Sequence, residues 1–374
     1  MPSVSGNKTK ISILCHDLSI NCLGRAYILA KALQVNYDVE ILGPMSKSTL
    51  WQPVAHDNTI PYKKFGILPN PFSFIKAISG DVIYVVKPRA GSFGYGLLAK
   101  WVTGKKLVLD IDDWETGFFR DYSLIGKILN SLQIWNMDSI LYTSLLSHMT
   151  GFAEAITVSN TFLQKRFGGV LIPHFRDTEE FDPARFGRTS IRERLGLQGK
   201  QVVMFMGTVK MHKGINTLIA AFDRLKNPDF VLMLVGANPR IQKKLPKRSY
   251  LKVEGPQPFE KVPEFLAAAD LVAIMQRQSS ASAKGQLPAK IFDAMAMAKP
   301  IIATAVSDLP KVLSGGCGLV ISDNADELAH AIKTIFGDPA LAEKMGQAAR
   351  RKCVEEYSYQ AASPALAAVF KSLE

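Results

Sequence analysis

Short runs of apolar residues, each followed by a loop and a helical segment, recur along this chain and constrain its fold most. In the first half they fall at 10–15, 38–42, 81–86, 105–110 and 155–159. Runs of this length and apolarity are typical of parallel strands that helices cover on both faces. The first half therefore predicts a doubly wound α/β domain.

The alternation restarts after a polar, proline-bounded stretch, Asp177–Pro183, which we interpret as an interdomain linker. Further strands are predicted at 201–206, 230–235, 251–253, 271–274, 301–303 and 318–321. Two such series in one chain predict two Rossmann-like doubly wound domains that face each other. The predicted bounds are 1–175 and 176–355, with a last helix over 356–374.

Composition narrows the classes of function. The formal charge is +12, spread over both halves, and attracts phosphates or anionic lipid. Basic runs interleaved with aromatic residues are absent, so nucleic acid is not an expected partner. The four cysteines lack the spacing of a zinc site, and no metal is expected. With no signal segment and no run of about eighteen apolar residues, the chain is expected to be cytoplasmic.

Two loops of the second half carry residues suited to phosphates. Gly207–Gly214 follows the strand at 201–206, and its glycines and lysines suit close approach to an anion. Ser279–Pro288 precedes a predicted helix over 289–297, on which Lys290 and Asp293 share one face. Taken singly, the first loop could be a surface turn, and Lys290–Asp293 more often forms an exposed ion pair.

Taken together, these segments resemble glycosyltransferase family four, the group 1 glycosyl transferases. The resemblance covers residues 200–358 and is carried by five motifs: Gly207 to Gly214, Val235-Gly236, Pro288-x-Lys290-x-x-Asp293 continuing to Thr304, Gly316-x-Gly318, and the tail Met345-Gly346-x-x-Ala349-Arg350 before Glu356-Tyr357-Ser358.

This resemblance implies a GT-B fold, with the active site in a cleft between the two domains. The N-terminal domain would bind a glycan, lipid-linked or small-molecule acceptor, and the C-terminal domain a nucleotide-diphosphate-sugar. The helix over 356–374 would cross back to the first domain. The implied transfer retains the anomeric configuration and needs neither a metal nor a cofactor beyond the donor.

The resemblance also assigns residues to a donor site. Lys213 would neutralise the departing diphosphate as a catalytic residue, Asp293 would bind the ribose hydroxyls, and Gly24 would approach the phosphates. The first acid of the family's paired-acid motif is replaced by Gly285, and an arginine by Thr208, so Lys210 would supply that charge. The remaining expected donor residues are Gly207, Gly285, Gln286, Leu287, Pro288 and Lys290.

The first domain offers weaker signals. Asp112 and Asp113 end a predicted strand and could bind an acceptor hydroxyl as catalytic residues. Equally, Asp110 and Asp113 could cap the next helix. The family's usual histidine has no counterpart, and we leave His16 and His148 outside the site.

Two other classes of function remain open. The replacements at 285 and 208 would also fit a degenerate GT-B protein that binds a nucleotide-sugar or glycan without turnover. An oxidoreductase ranks last, because His16-Asp17-Leu18-Ser19 follows the first strand where GxGxxG is expected.

A stripe of large apolar residues raises the question of a membrane. Leu124, Ile128, Leu132 and Trp135 share one face of a predicted helix, next to Phe118 and Phe119. Core packing is the commoner explanation of such a stripe and the one we favour. The alternative is peripheral contact with an anionic membrane by a chain acting on a lipid-linked acceptor.

Overall fold

The computed structural model describes residues 8–133, 136–209 and 211–373. The chain divides into two compact units. The first unit comprises Met1–His174 and Ala362–Glu374, and the second comprises Phe175–Ala361.

The described part of the first unit contains a seven-stranded parallel sheet in the order β3-β2-β1-β4-β5-β6-β7. Its strands are β1 Lys10–Cys15, β2 Asp38–Pro44, β3 Tyr62–Phe65, β4 Val82–Val86, β5 Lys106–Ile111, β6 Ala155–Val158 and β7 Val170–Leu171. Its helices are α1 Leu23–Leu33, α2 Pro71–Ala77, α3 Tyr95–Thr103, α4 Glu115–Arg120, α5 Leu124–Ser131, α6 Ile140–His148 and α7 Thr161–Phe167. Side chains of Asn70, Ser123 and Asn160 accept hydrogen bonds from the first turns of α2, α5 and α7 and so fix where these helices begin.

The described part of the second unit contains a six-stranded parallel sheet in the order β10-β9-β8-β11-β12-β13. Its strands are β8 Gln201–Met206, β9 Phe230–Val235, β10 Leu251–Glu254, β11 Leu271–Ile274, β12 Ile301–Thr304 and β13 Leu319–Ile321. Its helices are α8 Arg188–Arg194, α9 Asn216–Leu225, α10 Pro239–Gln242, α11 Val262–Ala268, α12 Ala281–Lys284, α13 Lys290–Ala296, α14 Leu309–Val312, α15 Ala325–Gly337 and α16 Pro339–Glu356. A last helix, α17 Tyr359–Lys371, begins in the second unit and ends in the first.

Burial on both faces explains the unbroken apolar runs of the central strands. All six residues of β9 are buried, and five of the six in β8. Helices on either side supply the covering layers, so no polar face is left along these strands. The predicted fold class, an α/β chain with two Rossmann-like domains, is confirmed.

The predicted strands of both halves are present within a residue or two of their predicted ends. The sequence missed β3 and β7. The first is an edge strand, Tyr62–Phe65, that carries two lysines, and the second has two residues. It also missed α12, which lies inside the predicted loop Ser279–Pro288.

The core-packing interpretation of the apolar stripe is wrong. Leu124, Ile128 and Leu132 are 74%, 53% and 70% exposed, and α5 buries none of its residues. Phe119 is buried in the first unit. Trp135 lies outside the described residues.

Candidate functional site

In both sheets the strand order reverses once, and the loops that follow the strands on either side of that reversal form the natural ligand site of the fold. In the second unit the reversal lies between β8 and β11. The loops that follow these two strands contain most of the residues that the sequence assigns to a donor.

Two glycines allow these loops to touch. Gly214 has a φ of 68°, and a Cβ there would lie 2.3 Å from the Cβ of Met275, just after β11. Gly236 follows β9 with a φ of 107°, and its Cβ would lie 2.3 Å from the carbonyl oxygen of Gly207. Any larger residue at either position would push the loops apart.

Lys290 provides the main electrostatic feature of this region. Its Nζ lies 3.3 Å from the centroid of the Phe205 ring in β8, and its Cδ is near Gly207. Burial, followed by the positive charge of Lys213, lowers the pKa of Lys290 well below its ordinary value. The influence of Asp293 acts in the opposite direction and does not restore the pKa. Two repelling amines at the ligand edge of a Rossmann-like sheet are the arrangement that a bound anion would stabilise.

Asp293 is engaged inside the second unit. Its Oδ1 accepts a hydrogen bond from Nε of Arg176, and both side chains are buried. Arg176 also donates to the carbonyl oxygens of Phe175 and Ala289, at 2.8 and 3.3 Å. The pair ties the chain just after the unit boundary to the start of α13. Binding of ribose by Asp293 stays a prediction.

Gln276 is a polar residue of this region that the sequence analysis missed. Its backbone N–H donates to Oγ1 of Thr304 at 2.9 Å, and its Nε2 lies 3.5 Å from Oε1 of Gln286. Its own Oε1 is buried and has no hydrogen-bond partner among the described residues. Gln276 follows a buried strand by two positions, which is the one signal that could have singled it out.

The other predicted donor residues are placed as follows. Gly285 follows α12, Leu287 is buried with 3% exposure, and Pro288 accepts the N–H of Ile291 at its carbonyl oxygen. Lys213 is half-buried at a non-helical kink before α9, and Lys210 lies outside the described residues.

Gly24 lies in the first turn of α1, in the first unit. A Cβ there would lie 3.0 Å from the ring of Trp51. The structure thus explains the glycine at position 24 by the close contact with the Trp51 ring. The approach of Gly24 to phosphates stays a prediction.

In the first unit, Asp110 is a structural residue. It accepts two hydrogen bonds from the Arg25 guanidinium, at 2.9 and 2.8 Å, and a third from Oγ1 of Thr157 at 2.7 Å. Its interpretation as a helix cap is therefore wrong. Arg25 is itself buried and also donates to the carbonyl oxygens of Ile172 and Pro173.

Asp112 and Asp113 surround a buried lysine that the sequence analysis missed. Lys87 has a φ of 72°, and its Nζ lies 2.9, 2.6 and 2.9 Å from carboxylate oxygens of Asp112, Asp113 and Glu115. Burial acts against its charge, but the three carboxylates hold the pKa of Lys87 well above its ordinary value. Burial, more than the opposing attraction of Lys87, raises the pKa of Asp112 to about 7. Both aspartates thus stabilise the charge of the buried Lys87. Binding of an acceptor hydroxyl by either of them stays a prediction.

A cavity of about 190 Å³ lies where the strand order of the first sheet reverses, between β1 and β4. Its polar lining includes His16, Asp17 and Asp138. Nε2 of His16 lies 2.9 Å from Oδ1 of Asp138, while Nδ1 of His16 is buried without a hydrogen-bond partner among the described residues. The sequence analysis left His16 outside the site because no motif supports it, and its contact with the remote Asp138 is visible only in the structure.

Neither a metal site nor a membrane span emerges from the residues that the structure describes. Within them, no three His, Cys, Asp or Glu side chains are grouped so that they could hold a metal ion. None of the described helices combines the length and apolarity needed to cross a bilayer.

The sequence of the second unit matches a known family. Residues 200–338 match the model of the family described as Glycosyl transferases group 1. The match lies within the second unit, and the resemblance predicted from the motifs is confirmed.

Curated relatives agree with this family. The chain is 26% identical over 252 residues to the GDP-mannose-dependent alpha-(1-6)-phosphatidylinositol monomannoside mannosyltransferase of Mycolicibacterium smegmatis, covering 62% of this chain and 66% of that protein. It is 26% identical over 196 residues to the alpha-D-kanosaminyltransferase of Streptomyces kanamyceticus, covering 50% of this chain and 49% of that protein. The matched region thus spans about half to two thirds of the length of these relatives.

Solved structures share the whole fold. Sucrose-phosphate synthase from Thermosynechococcus elongatus superposes with a TM-score of 0.76 at 17% identity, covering 98% of this chain and 99% of that one. The Anabaena protein HepE, solved with UDP and glucose, gives 0.77 at 18% identity, covering 97% and 100%. These likenesses confirm the predicted GT-B fold.

Proposed function

We propose that this protein is a metal-independent, retaining glycosyltransferase that moves a sugar from a nucleotide-diphosphate-sugar to a hydroxyl of an acceptor. The observation that carries the proposal is the Lys213–Lys290 pair at the strand reversal of the group 1 glycosyltransferase domain. Its two amines repel each other in the unliganded protein, and a diphosphate would turn that repulsion into attraction.

The chemistry assigns each amine a part. The bond between the anomeric carbon and the diphosphate oxygen breaks while the acceptor oxygen bonds to that carbon, and the proton of the acceptor hydroxyl passes to the departing diphosphate. Negative charge accumulates on the departing diphosphate, and fixed cations there stabilise the transition state more than the ground state. Lys213 and Lys290 supply that charge, so no metal is needed in this mechanism.

The relatives support a nucleotide-sugar donor without specifying one. One curated relative is named as GDP-mannose-dependent, and the structure of HepE contains UDP and glucose. For this chain we propose the shared part, a nucleoside diphosphate linked to a sugar. The acceptor is a glycan, a lipid-linked precursor or a small molecule, reached at the cytoplasmic face of a membrane in the lipid-linked case.

A second candidate is a degenerate GT-B protein that binds the same ligands without turnover. The observation in its favour is Gly285, which stands where the family has the first acid of its pair. Gly285 has no side chain that could orient the donor sugar, so the ligand would bind without transfer.

A thermal-shift panel tests the proposal. A ligand that binds only the native state raises the melting temperature by mass action. We expect one of UDP, GDP or ADP to raise it, and the shift to shrink in Lys213→Ala. No shift from any of the three nucleotides would refute the donor site. Release of free nucleotide from the matching sugar donor would then separate the enzyme from the degenerate binder.

A further inference from the structure

A cavity of the second unit lies at the edge of its sheet that is opposite to the candidate donor site. Its volume is about 470 Å³, which is within the range of pockets for small molecules. Gln201, Asp270 and Pro300 line it and stand at, or just before, the first residues of β8, β11 and β12. The loops that contain Lys213 and Lys290 follow the carboxyl ends of β8 and β11. The cavity is therefore separate from the candidate donor site.

Lys299 brings a buried amine to this cavity. Its side chain lines the cavity, and the residue is only 9% exposed. Its Nζ donates hydrogen bonds to the carbonyl oxygens of Ala267 and Ala269, at 3.1 and 2.9 Å. A charged lysine amine has three N–H groups, so these two carbonyls leave one of them for a ligand.

The carboxylate of Asp270, on the cavity wall, is already occupied by other partners. Its Oδ1 accepts a hydrogen bond from Nη2 of Arg188. Its Oδ2 accepts from Nη1 of Arg192 at 3.0 Å and from the backbone N–H of Val202 at 2.8 Å. Three cations thus share one carboxylate at this edge of the sheet, and the two arginines already neutralise it.

The surroundings of Lys299 leave its charge without compensation. Burial, and after it the charge of Arg188, lowers the pKa of Lys299 to about 8 against the attraction of Asp270. Arg192 acts in the same direction as Arg188. Glu343 also lines the cavity, but it is exposed and is not among the groups that shift this pKa. The amine is therefore still charged at neutral pH, and an anion in the cavity would stabilise it.

Arg188 has hydrogen-bond donors left for such an anion. It lines the cavity, its side chain is 48% exposed, and only its Nη2 is engaged among the residues that the structure describes. A guanidinium carries five N–H groups in a planar fork, which matches two oxygens of a phosphate or a carboxylate. The unused N–H groups of Arg188 and the third N–H of Lys299 border the same cavity.

The remaining wall of the cavity is apolar. Ile335 and Phe336 come from the end of α15, and Pro339 and Ala342 from the first turns of α16. An inorganic ion would make no use of this wall, whereas the organic part of a small molecule would cover it.

We propose that this cavity binds a small organic oxyanion, a phosphate monoester or a carboxylate, through Arg188 and Lys299. The oxyanion lies between the two cations, and the organic part of the ligand packs on Phe336 and Pro339. This site lies outside the proposed transfer reaction and does not depend on it.

A matched series of sugars tests the site by thermal shift. Glucose is uncharged, glucose 6-phosphate adds a phosphate ester, and glucuronate carries a carboxylate at the same carbon. A ligand of the native state raises the melting temperature by mass action, so we expect a rise with at least one of the two anions and none with glucose. The anion that gives the larger rise identifies the oxyanion that the site prefers.

Substitutions locate the response in the cavity. Arg188→Gln should weaken binding of the preferred anion about tenfold or more in titration calorimetry, because charged hydrogen bonds are lost. Lys299→Met should weaken it likewise. The matched control is Arg194→Gln, which removes the same charge from the same helix, α8, at a residue that is 60% exposed and pairs with Glu264. The control should bind like wild type. Arg188→Gln, at a half-exposed position, decides the test if Lys299→Met does not fold.

The pH dependence of binding separates a ligand contact from a purely structural part of Lys299. Its amine loses a proton as pH rises through about 8. A phosphate monoester, with a second pKa of about 6, keeps its charge above neutral pH. The affinity of wild type for glucose 6-phosphate should therefore fall between about pH 7 and pH 9, and that of Lys299→Met should stay level.

Three results would overturn the inference. One is an equal response of wild type to glucose and to both anions. Another is an affinity of Arg188→Gln and Lys299→Met that equals that of the control. The third is a response that Lys213→Ala abolishes and Arg188→Gln keeps, because it would place the anion at the candidate donor site. Conversely, a response to glucose 6-phosphate without any response to a nucleotide would refute the proposed function and leave this site standing.

Discussion

Replacing Lys290 by methionine distinguishes two effects of this residue. One is the stability that its buried charge costs the unliganded protein, and the other is the binding free energy that it contributes to a bound ligand. Methionine keeps the length of the side chain and its contact with Phe205 but removes the charge. In the unliganded protein the charge is unfavourable, because burial and Lys213 lower the pKa of Lys290. The contact of Nζ with the Phe205 ring, at 3.3 Å, offsets part of that cost, by about 0.5–2 kcal/mol.

The expected effects have opposite signs. Lys290→Met should melt at the same temperature as wild type or above it when no ligand is present. A hydrogen bond between a charged amine and a phosphate contributes about 1.5–3 kcal/mol. The nucleoside diphosphate should therefore bind the variant roughly 10- to 150-fold more weakly.

Proton uptake gives a second readout with a definite sign. A lysine whose folded-state pKa is lowered binds fewer protons when folded than when unfolded. It therefore lowers the free energy of unfolding increasingly as pH falls below its ordinary pKa. A bound anion raises the pKa of Lys290 again, so binding should take up protons from the buffer. Titration calorimetry in buffers with different ionisation heats measures this uptake, which should be smaller in Lys290→Met.

The matched control is Lys333→Met, on the exposed face of α15. It removes the same charge from the second unit and should leave melting temperature, affinity and proton uptake unchanged. The reasoning fails if Lys290→Met lowers the melting temperature of the unliganded protein while its affinity matches that of the control.

Three further substitutions test the structure elsewhere. Gly214→Ala forces a Cβ to within 2.3 Å of Met275 at a φ of 68° and should cost about 1–3 kcal/mol in urea unfolding, whereas Gly315→Ala, at a φ of 78° with nothing within 4 Å, should cost less. Asp112, with its pKa raised from 3.8 to about 7, contributes stability below its ordinary pKa that is lost as pH rises through about 7. Asp112→Asn should remove this pH dependence of the free energy of unfolding, as measured by denaturant titrations between the two pKa values. An unchanged pH dependence would contradict the raised pKa of Asp112. Asp293→Asn leaves a buried arginine without its counter-charge and should cost about 3–5 kcal/mol in the same assay; a cost below about 1 kcal/mol would show that the pair is not structural.

The central strands could be predicted from the sequence because their burial leaves no polar position. A run such as 230–235 carries its own evidence, since all six residues must be apolar to lie between two helical layers. Edge strands carry no such evidence. Tyr62–Phe65 pairs with one neighbour only and carries two consecutive lysines, so its pattern is that of a loop.

Residues at the candidate donor site could be predicted where they follow a strand directly. Lys213 and Lys290 lie in the segments that follow β8 and β11, and these strands are adjacent in the sheet, an order that the sequence analysis did not predict. The ion pairs could not be predicted. Which carboxylate faces Arg176 depends on how α13 packs beside the unit boundary, and no local pattern of residues encodes that.

The apolar stripe marks the limit of sequence reasoning in a different way. A helix that packs into a core and one that rests on lipid both need an apolar face, so Leu124 and Ile128 fit either. The structure decides against core packing, because α5 buries none of its residues among the part of the chain that the structure describes.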